Sequence, residues 1–103
     1  RLWGLFVDRF GSPDAFFQEH FVINYCPLAF MAASGANLTP DKFPLALRRT
    51  IESVCDQHLI RSLKALQPTN FIAVGQFAEN CVRRCQAQTD ALQDLKVVRI
   101  LHP

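Results

Sequence analysis

A chain of 103 residues, half of them hydrophobic and 19% charged, has room for one small domain and is too apolar to be disordered. Eleven basic against nine acidic residues leave a net charge of +2, so charge alone singles out neither nucleic acid, membrane nor an anionic metabolite as partner. No apolar run approaches the ~18 residues of a membrane span, and four cysteines in so apolar a chain read as reduced thiols rather than the staples of a disulfide scaffold.

Leu2, Leu5, Phe6 and Phe10 recur at helical spacing, and Gly11 ends that helix before Ser12-Pro13-Asp14 caps a second one carrying Phe16 and Phe17. Arg1-Leu2-Trp3 enters this helix without a cap and Pro103 follows directly on an apolar run, so the chain reads as part of a domain. Phe21-Val22-Ile23 is a short β-branched run expected to be a strand buried on both faces, ending at Asn24 and closed by Pro27. Residues 34–44 hold Gly, Asn and two prolines and are expected to be a loop.

From about Leu45 to Leu66, apolar residues at Leu47, Ile51, Val54, Cys55, Leu59, Leu63 and Leu66 predict a long helix lying on a sheet. Arg48, Glu52, Asp56 and Lys64 are assigned to its other side. Phe71-Ile72-Ala73-Val74 predicts a second buried strand running into Gly75 and a helix from Gln76 to about Gln88; Val97 to Leu101 predicts a third strand, followed at once by His102. Strands separated by helices imply parallel pairing and an α/β fold, whose ligands bind outside the carboxyl ends of the strands. Asn24, Gly75 and His102 are all expected on that edge.

His102 at a strand end can serve as a base, a metal ligand or a donor to developing negative charge, or it can simply cap the strand. His20 and His58, at a junction and on a helix, are weaker candidates. Asn24 offers an acceptor beside a donor, the complement of the N3–H and O4 edge of uracil and a mismatch for cytosine; capping a turn is its other reading. Gly75 before a helix allows backbone N–H groups near a phosphate, but there is no Gly-rich dinucleotide motif and no P-loop. Cys81 and Cys85 stand one helical turn apart, a spacing that suits two metal ligands and, more simply, two buried thiols. Arg48-Arg49 and Arg83-Arg84 can touch a polyanion or lie on solvated helix faces.

The run Phe21-Val22-Ile23-Asn24-Tyr25-Cys26-Pro27-Leu28-Ala29-Phe30-Met31, followed by Ser34-Gly35-Ala36-Asn37-Leu38-Thr39-Pro40, resembles the single-strand-selective monofunctional uracil-DNA glycosylase family. So do Arg1 to Phe6, Phe10 to Pro13, Val74 to Glu79 and the closing Leu101-His102-Pro103, in the same order along the whole chain. The resemblance implies a three-layer α/β/α fold with a four-stranded parallel sheet in the order 2-1-3-4, its first strand missing here, so that residues 1–103 form the central-to-C-terminal part of one uracil-glycosylase domain. In that family the missing strand leads into a Gly-Met-Asn-Pro-Gly motif that positions water, and a Ser-Pro-Arg wedge follows the position of Pro103.

The same resemblance implies that Asn24 reads the pyrimidine and that His102 is the catalytic histidine steadying the departing uracil. It places Gly75 and Gln76 beside the DNA backbone. Ile23 stands where the family has a histidine. The implied activity is hydrolysis of the N-glycosidic bond of uracil, and of oxidised uracil derivatives, in single- and double-stranded DNA during base excision repair. It would be carried out in the nucleus by a monomer without metal, organic cofactor or membrane contact, the 103 residues alone being inactive. The alternative from another class is a catalytically inactive truncated or isoform chain acting as a DNA or protein interaction module.

Overall fold

A computed structural model describes all 103 residues. Helix α1 spans Leu2–Phe10 and ends where the Gly11 N–H, at φ 80°, donates to the Val7 carbonyl at 2.8 Å. Helix α2, Pro13–Phe17, starts from Ser12, whose hydroxyl accepts the Ala15 N–H at 3.2 Å. The two close an aromatic knot in which the Phe6 ring and the His20 imidazole each stack on Phe16, at 4.4 Å and 4.5 Å. The His20 Nδ1 lies 2.9 Å from the Phe16 carbonyl, which makes this histidine a structural one.

Residues 21–24 form no strand. This corrects the expectation of a buried first strand: no neighbouring segment supplies a ladder, and Phe21 is 65% exposed. Apolar β-branched residues favour the extended conformation, but only a paired neighbour turns it into sheet. The expected loop that follows contains a small antiparallel hairpin, β1 (Phe30–Met31) with β2 (Asn37–Leu38), and a 3-10 turn at Pro40–Lys42.

Helix α3 spans Leu45–Leu66 and ends at Gln67, whose left-handed backbone (φ 49°) lets its N–H close onto the Leu63 carbonyl. Strand β3 (Asn70–Val74), helix α4 (Gln76–Gln88), a 3-10 turn at Asp90–Leu92 and strand β4 (Lys96–Ile100) complete a parallel β-α-β unit. Its register runs from Asn70 opposite Lys96 to Val74 opposite Ile100. The third strand therefore stops before Leu101, which is 87% exposed.

Leu59, Ile60 and Leu63 of α3 meet Val82 and Cys85 of α4 and Leu92 of the second 3-10 turn in one core, on which Tyr25, Phe71, Leu95 and Val97 pack. Burying a side chain of this size contributes ~1.5–3 kcal/mol. Helices cover one face of the sheet. Ala73 is fully buried there, whereas Ile72, one residue earlier and on the opposite face, is 54% exposed. The strands are thus half-buried rather than buried on both faces as their composition led one to expect. The architecture is mixed α/β, and no helix is long and apolar enough to cross a membrane.

Candidate functional site

The parallel register of β3 and β4 brings Gly75 and His102 together. Past Val74, the Gly75 N–H donates to the Ile100 carbonyl at 2.9 Å and the chain turns at φ 89° into α4. A Cβ at Gly75 would stand 3.4 Å from the His102 Cβ, an ordinary contact, so glycine is needed here for its backbone angle. His102 is exposed, and its Nδ1 lies 3.1 Å from the Pro103 carbonyl, a contact it fills only as a donor. Nε2 makes no hydrogen bond within the chain. The Gln76 amide is turned back along α4, donating to Asn80 at 2.9 Å and to Glu79 at 3.3 Å.

Asn24 is exposed on the wall of a groove of ≈ 560 Å³ between residues 21–27 and the second half of α3. Phe21, Val22, Ile23 and Pro27 line one side, and His58, Ser62, Ala65 and Leu66 the other. His58, a weak candidate in the sequence, is the histidine that shares this groove with Asn24. His102, Gly75 and Gln76 do not line it. The structure therefore shows two separate places: a strand-end rim holding His102 against Gly75, and a groove holding Asn24.

The best-ordered polar chemistry is one that sequence reasoning missed. Asp56, assigned to the solvated side of α3, is only 3% exposed. Its carboxylate accepts four hydrogen bonds: from the Tyr25 hydroxyl at 2.7 Å, from Arg84 Nη2 and Nε at 2.8 Å each, and from the Gln88 amide at 2.9 Å. Burial opposes its ionisation, but the bonds from Arg84, Tyr25 and Gln88 outweigh that and hold the carboxyl below the usual carboxylate range. Burial and the bond to Asp56 push the Tyr25 phenol the other way, upward. Arg84 is thereby a two-pronged partner of a buried acid, not a residue of a free helix face. The signal in the sequence was an Asp at the apolar edge of α3 with an Arg on α4 at the reach of a crossing helix, which only the packing makes visible.

No three His, Cys, Asp or Glu side chains come together in a way that could hold a metal ion. Cys55, Cys81 and Cys85 are buried, and Cys26 is half-buried. Burial pushes the Cys55 and Cys85 thiols up to about 12, which keeps them neutral and unreactive at physiological pH.

No family model matches the chain. Along its whole length it is 40% identical to the single-strand selective monofunctional uracil DNA glycosylase of Mus musculus and to that of Rattus norvegicus, and 38% identical to that of Bos taurus. The chain spans little more than a third of the length of these relatives, 36% of the two rodent proteins and 37% of the bovine one. The chain is thus similar along its whole length to uracil-DNA glycosylases, and among them to the single-strand-selective monofunctional ones.

Proposed function

We propose that these residues carry the pyrimidine-reading and leaving-group-stabilising part of a uracil-DNA glycosylase that acts in base excision repair. The observation that carries the reading is likeness to such proteins over all 103 residues, with Asn24 and His102 both within it. The fold of the whole domain is three-layered, with residues 21–24, β3 and β4 as strands two, three and four of a parallel sheet in the order 2-1-3-4. An unpaired 21–24 and an uncovered sheet face are compatible with that architecture.

The substrate is DNA, single- or double-stranded, carrying uracil or an oxidised uracil derivative. The base is rotated out of the stack at a cost of a few kcal/mol, least where it is mispaired or unpaired. Asn24 accepts from N3–H and donates to O4. As the bond from N1 to the sugar breaks, its electron pair passes to the uracil ring, the sugar becomes oxocarbenium-like, and water completes the hydrolysis. His102 steadies the negative charge arriving on O2. Gly75 and Gln76 lie beside the DNA backbone. The protein works as a monomer in the nucleus with no metal or organic cofactor. The alternative of an inactive interaction module has no observation of its own in its favour.

Asn24→Asp in the full-length protein tests the reading. The carboxylate loses the donor to O4 and places negative charge beside the departing anion, so uracil release falls about tenfold or more and the preference for uracil over cytosine narrows. An unchanged ratio of the two excision rates removes Asn24 as the reader.

A further inference from the structure

Residues 21–29 make no backbone-to-backbone hydrogen bond: none of the ladder, turn or capping bonds involves them. Something else must place Asn24. The polar link from this segment to the helical layer is the Tyr25 hydroxyl, which donates to Asp56 Oδ1 at 2.7 Å, lies 3.1 Å from the Glu52 carbonyl and accepts from Arg84 Nη2 at 3.0 Å. Its ring packs on the α3–α4 core and meets the Phe77 ring edge-on at 5.6 Å. The far side of the cluster is rigid: both oxygens of buried Asp56 are held by the Arg84 fork and Oδ2 also by Gln88, so that α3 and α4 are clamped to each other where Tyr25 lands.

We propose that Tyr25, Asp56 and Arg84 form the positioning element of Asn24, a role that rests on the reading of Asn24 as the pyrimidine reader. Adjacent Cα atoms are ~3.8 Å apart, and Tyr25 stands at a bend of the chain directly after Asn24. Fixing the Tyr25 ring and hydroxyl on the helices therefore fixes where the Asn24 amide emerges on the groove wall. An amide that must match two atoms of a base edge loses its advantage when its backbone drifts by an ångström, because the cost of misplacement falls on both hydrogen bonds together. None of the three residues touches the base in this scheme; they act through Asn24.

A double-mutant cycle in the full-length protein tests this, using single-turnover release of uracil from single-stranded DNA with enzyme in excess so that large losses remain measurable. Tyr25→Phe, which keeps the ring and deletes the hydroxyl, lowers the rate about tenfold in the wild-type background and leaves it unchanged in an Asn24→Ala background. Arg84→Lys, which keeps the charge but not the fork, shows the same dependence and serves if the phenylalanine variant does not fold. An equal loss in both backgrounds means that the cluster supports the fold generally and overturns the proposal, as does no loss in the wild type. A wild-type rate for Asn24→Ala alone is a different failure: it overturns the reading of Asn24 itself, and with it any residue said to act through it.

Discussion

His102→Ala in the full-length protein is expected to slow uracil release from single-stranded DNA at least about a hundredfold, since one donor aimed at a developing anion contributes ~3 to 4 kcal/mol to the transition state. The loss is expected in the chemical step rather than in DNA binding, because the charge assigned to His102 in the proposed function is absent before the glycosidic bond stretches. The imidazole packs beside the side-chain-free Gly75, and its Nδ1 lies 3.1 Å from the Pro103 carbonyl, with no other hydrogen bond to the chain. Single-turnover rates at saturating enzyme measure the effect. A rate within a few fold of the wild type, in a variant that still binds DNA, takes the catalytic role from this residue.

Arg84→Ala is expected to be the most damaging substitution for stability among the polar residues, at about 2 to 3 kcal/mol, because it strips the two strongest partners from a carboxylate that is 3% exposed. The figure sits below that of a fully buried pair because the Arg84 side chain is itself 35% exposed and water can reach part of the space it leaves. The acid limb of the stability profile carries a second signature. In the wild type the Asp56 carboxyl is held below its ordinary 3.8, so its contribution is present above that pH and is lost as pH falls through the lower, folded value. Without the guanidinium, burial dominates and the carboxyl rises, so the variant begins to lose stability at a higher pH. Denaturant midpoints measured between neutral pH and pH 3 check both. An unchanged midpoint with an unchanged acid limb would show that the clamp contributes nothing.

The long elements were legible because their signals are local. The apolar spacing from Leu45 to Leu66, broken by Pro68, and the Gly75 punctuation before Gln76 to Gln88 locate α3 and α4 to the residue. The meeting of Gly75 with His102 was also legible, since a parallel pair whose last partners are Val74 and Ile100 brings the next residues of each strand side by side. The segment 21–24 was not, because its residues favour extension while sheet formation is decided by a neighbour elsewhere. Asp56 was misplaced for a similar reason. Periodicity ranks a helix face by polarity, and nothing local announces that an arginine 28 residues later will reach across to neutralise a buried acid. Nor did spacing place Asn24 opposite His58, Ser62 and Leu66 rather than beside His102; that follows from how residues 21–27 lie on α3.

The account turns on one extruded pyrimidine being held by Asn24 and His102 together, although the chain places them in separate surroundings. The most direct measurement is a crystal structure of the full-length protein bound to DNA containing a non-cleavable uracil nucleotide. The account predicts the Asn24 amide at hydrogen-bond distance, about 3 Å, from both N3 and O4, with the His102 imidazole at a similar distance from O2 of the same ring. Uracil seated with either side chain out of reach of its ring contradicts it.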